Sequence, residues 1–146
     1  MPRTLYLLRH AKSSWKDASL RDFDRPLKGR GRDAAKQIGK RLADEKPLPV
    51  LVVCSSAART RETAEIVLKH SNLKVDVNFV QRIYEASLRD LLQVVSEIPD
   101  DKEFAGESML SVGNHRRLSL GYSCYRSVNR AANFVPLTTC QIKLER

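Results

Sequence analysis

Cysteine, aromatic residues and long apolar runs are all scarce in this chain of 146 residues. The three cysteines, Cys54, Cys124 and Cys140, form an odd set with no Cys-x-x-Cys or His-rich spacing. Neither a disulfide framework nor a zinc site is indicated, and neither a metal nor a cofactor is expected. No apolar stretch approaches the ~20 residues of a membrane helix. Met1-Pro2-Arg3 leads into a strand-like run, not a signal peptide, so a cytoplasmic location without a membrane partner is expected. Aromatic residues make up 6% of the chain and are not interleaved with basic ones, as a single-strand nucleic-acid platform requires. That absence bears on the formal net charge of +9, which by itself suggests a polyanionic partner. Residues 1–101 hold +5 of it and residues 102–146 hold +4, so the short C-terminal part carries nearly half. No recognition-helix motif accompanies the charge, and no nucleic-acid partner is expected. The excess suits an acidic, phosphorylated partner or a solvated face. Repeats, low-complexity tracts and linkers are also missing, and the length fits one domain spanning 1–146.

What is present is an alternation of apolar runs and amphipathic stretches. Thr4-Leu5-Tyr6-Leu7-Leu8 reads as a buried strand, and residues 11–28 as a polar loop containing Trp15, Phe23 and Pro26. Ala34, Ala35, Ile38 and Leu42 recur at helical spacing from about Arg30 to Asp44, before Pro47 and Pro49. Val50-Leu51-Val52-Val53-Cys54 is apolar throughout, as a parallel strand buried on both faces should be, and Cys54 is expected to pack inside it. Ser55-Ser56 then introduces a helix through Ala64, Val67 and Leu68. Val75, Val77 and Phe79 or Val80 suggest a third strand, and Leu88, Leu91, Leu92, Val95 and Ile98 a helix ended by Pro99. Such alternation predicts an α/β fold of three layers, α/β/α, around a mostly parallel sheet.

The first strand ends in Arg9-His10, which places a cation and an imidazole at a carboxyl edge, where open α/β sheets hold their chemistry. Arg presents a fork of donors that suits phosphate, and a neutral His can attack phosphorus. The surrounding text carries more information: Leu7-Leu8-Arg9-His10-Ala11-Lys12-Ser13-Ser14-Trp15, then Asp22-Phe23-Asp24-Arg25-Pro26-Leu27 and Gly29-Arg30-Gly31. Over residues 3–101 this resembles the histidine phosphatase superfamily, and within it the small SixA-like phosphohistidine phosphatases. The resemblance implies a phosphoglycerate mutase-like fold and a metal-independent phosphatase. Its nucleophile is His10, and Arg9 and Arg59 clamp the phosphoryl group, Arg59 lying in Cys54-Ser55-Ser56-Ala57-Ala58-Arg59-Thr60-Arg61-Glu62-Thr63. Arg61, two positions on, is expected to be solvated. Ser14, Lys12 and Arg25 are further candidates for phosphate or partner contacts. Glu85, in Ile83-Tyr84-Glu85-Ala86, stands where relatives carry an acid that protonates the leaving group, a role that calls for burial in a cleft; a helix-entry glutamate is the alternative. The expected partner is a phosphohistidine protein or a small phosphorylated metabolite.

The resemblance breaks where relatives supply a second histidine from a Val-Gly-His-Asn-Pro motif. Here the text is Val112-Gly113-Asn114-His115-Arg116, so His115, or Asn114 with a weaker hydrogen bond, is the candidate replacement. Residues 116–146 are atypical, through either ordinary divergence or an altered reading frame near codon 114, and Cys140-Gln141-Ile142-Lys143-Leu144 alternates like an edge strand. The alternative function is a catalytically impaired phosphate- or phosphoprotein-binding module of the same fold.

Overall fold

The computed structural model describes residues 3–45, 48–98, 107–112 and 137–142. In chain order the elements are β1 (Arg3–Arg9), α1 (Gly29–Asp44), β2 (Pro49–Ser55), α2 (Ala58–Ser71), β3 (Asp76–Val80), α3 (Leu88–Ser96), β4 (Glu107–Val112) and β5 (Leu137–Ile142). Short 3-10 turns lie at Asp22–Asp24 and Gln81–Ile83. No helix among the described residues is long and apolar enough to cross a membrane.

The five strands form one sheet in the order β3-β2-β4-β1-β5. The first four run parallel, and β5 lies antiparallel on β1, as expected of an edge strand. β5 begins three residues earlier than the Cys140–Leu144 alternation suggests, because pairing sets its limits: Leu8 faces Leu137 and Arg3 faces Ile142. Pro49, read as a helix stop, is in fact the first residue of β2, where its missing N–H is tolerated.

Successive strand residues point to opposite faces, and that alternation divides the core in two. Tyr6, Leu8, Val52 and Cys54 pack with Ala35, Ile38 and Leu42 of α1 and with Ala64 and Val67 of α2. Leu5, Leu51 and Val53 face the other way, against Ile83, Ala86, Leu91 and Val94 of the 81–96 segment. Helical layers thus cover both faces, which is why β2 is apolar at consecutive positions. β3, at the other sheet edge, leaves Phe79 exposed.

Helices α1 and α2 cross closely at Gly39. A Cβ added there would stand 2.6 Å from the Val67 carbonyl oxygen and 2.7 Å from the His70 Cβ. Gly39→Ala should therefore force the helices apart and lower stability by about 1–3 kcal/mol. Gly29→Ala, where nothing lies within 4 Å of an added Cβ, should be neutral or slightly stabilising. Urea unfolding of the two variants checks the contrast, and equal midpoints would refute the close packing.

Candidate functional site

β1 and β4 end together: Arg9 is in register with Val112, and the strands are parallel, so both chains leave the sheet at the same carboxyl edge. His10 is the first residue beyond β1 at that edge. Its Nδ1 lies 2.7 Å from the Ala11 carbonyl oxygen. A carbonyl can only accept, so Nδ1 carries the hydrogen and the lone pair resides on Nε2. Nε2 is itself buried and has no hydrogen-bond partner among the described residues. Burial lowers the His10 pKa to about 4, opposed by the bond to the Ala11 carbonyl, reinforced by the Arg59 and Arg9 charges and tempered by Asp22. At neutral pH the ring is uncharged, with an unprotonated nitrogen.

α2 is tied to the same point. The Ala11 N–H donates to Thr63 Oγ1 at 3.0 Å, and that hydroxyl donates to the Arg59 carbonyl at 2.6 Å. The residue after His10 is thereby fixed to the second turn of α2, whose Thr63 in turn bonds back to Arg59 in the first. Ser55 and Ser56 do not cap this helix: its N-cap is Ala57, with no side-chain cap. The positive end of the helix dipole therefore lies beside Arg59.

Arg59 is buried, and its guanidinium is directed at Asp22. Nη2 donates to Asp22 Oδ2 at 2.8 Å, and Nη1 to the Asp22 backbone carbonyl. Arg25 reaches the same carboxylate from the loop, Nη1 donating to Oδ1 at 2.6 Å. It is anchored in turn by Nε to the Ser14 carbonyl at 2.9 Å and Nη2 to Ser13 Oγ at 2.7 Å. Trp15, 70% exposed, lies over it with 3.1 Å from guanidinium carbon to ring centroid. The Tyr84 hydroxyl completes the cluster, donating to Asp22 Oδ2 at 3.0 Å. Burial, followed by the neighbouring carboxylate, holds the Tyr84 phenol above its ordinary pKa, so it remains a donor. Burial of Asp22 acts to raise its pKa, but hydrogen bonds from Arg59, Arg25 and Tyr84 outweigh it and leave the carboxyl below the usual range.

Of the residues singled out from the sequence, His10 feels the charges of both Arg59 and Arg9; Arg59 is buried against Asp22, and Arg9 is exposed. Lys12 contributes its backbone, whose carbonyl accepts from the Lys28 N–H at 2.8 Å, while its side chain is exposed. Ser14 holds the loop, its hydroxyl accepting from Lys16 N at 3.2 Å. Arg25 is a buried strut for Asp22. Arg61 is exposed, its guanidinium 4.6 Å from the Phe79 ring centroid. Glu85 is exposed at φ 54°, without the cleft burial expected of it. Nor does it open a helix, since Ser87 and Asp90 form the capping box of α3. Asn114 and His115 lie outside the described residues. Sequence reasoning missed Asp22, Thr63 and Tyr84. The local signals for Asp22 are its place at the head of the Asp22–Leu27 motif and its position three residues before Arg25.

The profile of the histidine phosphatase superfamily (branch 1) matches residues 5–136, reaching beyond the 3–101 stretch that carries the motifs. A chloroplastic, uncharacterized protein of Arabidopsis thaliana is 40% identical over 90 residues, which is 60% of this chain and 41% of that protein. The chain spans about half the length of the curated relatives it matches, 41% to 58%. Among solved structures, a candidate phosphohistidine phosphatase SixA from Agrobacterium tumefaciens superimposes with a TM-score of 0.68 at 32% identity, covering 76% of this chain and 69% of that one. A phosphoglycerate mutase from Bacillus anthracis gives a TM-score of 0.60 at 17% identity, with coverage of 77% and 75%, and shares the fold.

The depressed His10 pKa has a measurable sign. In NMR titration, the imidazole signal absent from His10→Ala should move with a midpoint of about 4; a midpoint near the ordinary histidine value of 6.5 would refute the burial argument. Between those values the unfolded chain binds the proton that the folded chain excludes, so His10 makes stability rise with pH from about 4 to 6.5.

Proposed function

Because the chain belongs to the histidine phosphatase superfamily (branch 1), we propose that it is a metal-independent phosphatase working through a phosphohistidine intermediate on His10. The single observation that carries this reading is the state of His10: a neutral imidazole with Nδ1 hydrogen-bonded and Nε2 unpartnered among the described residues, beside Arg59. In the first step the Nε2 lone pair attacks phosphorus as the bond to the leaving atom breaks, and that electron pair departs with the leaving group. Water then attacks phosphorus, releasing inorganic phosphate and restoring the ring. Arg9, Arg59 and the uncapped end of α2 are the groups assigned to hold the phosphoryl oxygens and to stabilise their charge.

The proposed substrate is a phosphohistidine protein, with small phosphomonoesters as the weaker choice. A phosphohistidine leaves as imidazole and depends less on a general acid than an alkoxide does. The exposure of Glu85 favours a substrate of that kind. The positive net charge also suits an acidic, phosphorylated partner. β4 ends opposite Arg9, immediately before Gly113-Asn114-His115, and this supports assigning Asn114 or His115 as the replacement for the missing second histidine.

Incubating the protein with a histidine-phosphorylated carrier protein and EDTA should release inorganic phosphate. His10→Ala should reduce turnover by at least about a thousandfold. Activity surviving that change would refute the nucleophile. Stable phospho-His10 without phosphate release would instead identify a phosphoryl-accepting binding module.

A further inference from the structure

We propose that Asp22 is a positioning residue for the oxyanion site, holding the Arg59 guanidinium in place from the loop that follows His10. The proposal rests on the phosphatase reading and gives a role to a residue that the clamp assignment does not include. Asp22 grips Arg59 at two points, backbone carbonyl and Oδ2, which fixes the direction of the guanidinium as well as its distance. Arg has five N–H donors, so the grip leaves others for a phosphoryl group.

Asp22 is suited to this task because it is itself braced. Arg25 holds Oδ1 while anchored to Ser13 and Ser14, and Tyr84 donates to Oδ2 from the segment beyond β3. Three parts of the chain, the 11–28 loop, α2 and the turn at Tyr84, thus meet on one carboxylate. The pair is asymmetric: the Arg59 side chain is 5% exposed and that of Asp22 41%. The buried cation has few alternative positions, whereas the carboxylate is reached from solvent. A carboxylate that merely competed for Arg59 would need no such bracing. Bracing is what keeps a long side chain in one rotamer, and misplacing a clamp by about 1 Å can cost on the order of a hundredfold in rate.

Tungstate, a phosphate-like oxyanion, provides a test by titration calorimetry. Asp22→Asn should raise its Kd by about tenfold, the loss of roughly one charge-assisted hydrogen bond. Tyr84→Phe, which removes one brace and leaves no charge unpaired, should weaken binding in the same direction by a smaller factor. Arg59→Lys should weaken binding by itself and abolish any further effect of Asp22→Asn, an interaction that a purely structural role would not show. Thermal unfolding at the same pH establishes that each variant is folded at the titration temperature. Unchanged or tighter tungstate binding in both folded Asp22→Asn and Tyr84→Phe would overturn the positioning role and leave the phosphatase reading intact. Failure of the wild-type chain to bind tungstate would overturn both.

Discussion

The carboxylate of Asp22 is the point on which the candidate site depends. Two arginines and a phenol converge on it, and through them a polar loop, a helix and a distant turn are held at the end of β1. Neither arginine could be buried without that counter-charge, since an unpaired buried guanidinium costs several kcal/mol. The arrangement explains how a loop of charged residues attains one conformation. Ala11 and Leu27 at its two ends pack into the core, and the charged stretch between them is ordered by satisfying Arg25 and Arg59. The bridge between Ser13 and Leu27, with Ser14 N–H donating to the Pro26 carbonyl at 2.8 Å, closes the same loop at its base.

Beneath that cluster, the sheet does the coarse positioning. Parallel strands bring the ends of β1, β2 and β4 to one edge, and α2 starts directly beyond β2. The Thr63 hydroxyl then converts proximity into register by bonding both Ala11 and Arg59. A helix anchored at its second turn to the residue after His10 cannot slide along its axis without breaking the bond between Ala11 and Thr63. His10 and Arg59, separated by 49 positions in the chain, become neighbours through this one side chain.

Strands and helices were legible in the sequence because burial on one or both faces leaves a periodic record. Leu51 to Cys54 reads as a doubly covered strand, and Ala35, Ile38 and Leu42 as a helix face, and the structure agrees. His10, Arg9 and Arg59 were singled out by the motifs around them. Asp22 was not, because Asp24 two residues on has the same chemistry, and only the fold decides which carboxylate meets Arg59; Asp24 pairs with Arg21 at the surface. Glu85 is exposed on a left-handed backbone, which a non-glycine position does not announce in the sequence, so its role as an acid rests on the resemblance alone. Ser55 and Ser56 look like caps for α2, but Ser55 is buried at the end of β2 and Ala57 takes the N-cap position.

The charges at the site have a logic that follows from the ring they surround. A histidine near two arginines and out of water resists protonation, so the cations that would bind a phosphoryl group also keep the attacking nitrogen unprotonated before it arrives. Asp22 moderates that effect on the ring. It partly cancels the field of Arg59 at His10 while fixing the guanidinium mechanically, so one carboxylate reconciles two demands that an additional cation would set in conflict. Orientation is supplied by hydrogen bonds, and the net charge is moderated by the same atoms, which is why the brace consists of a carboxylate rather than a neutral amide.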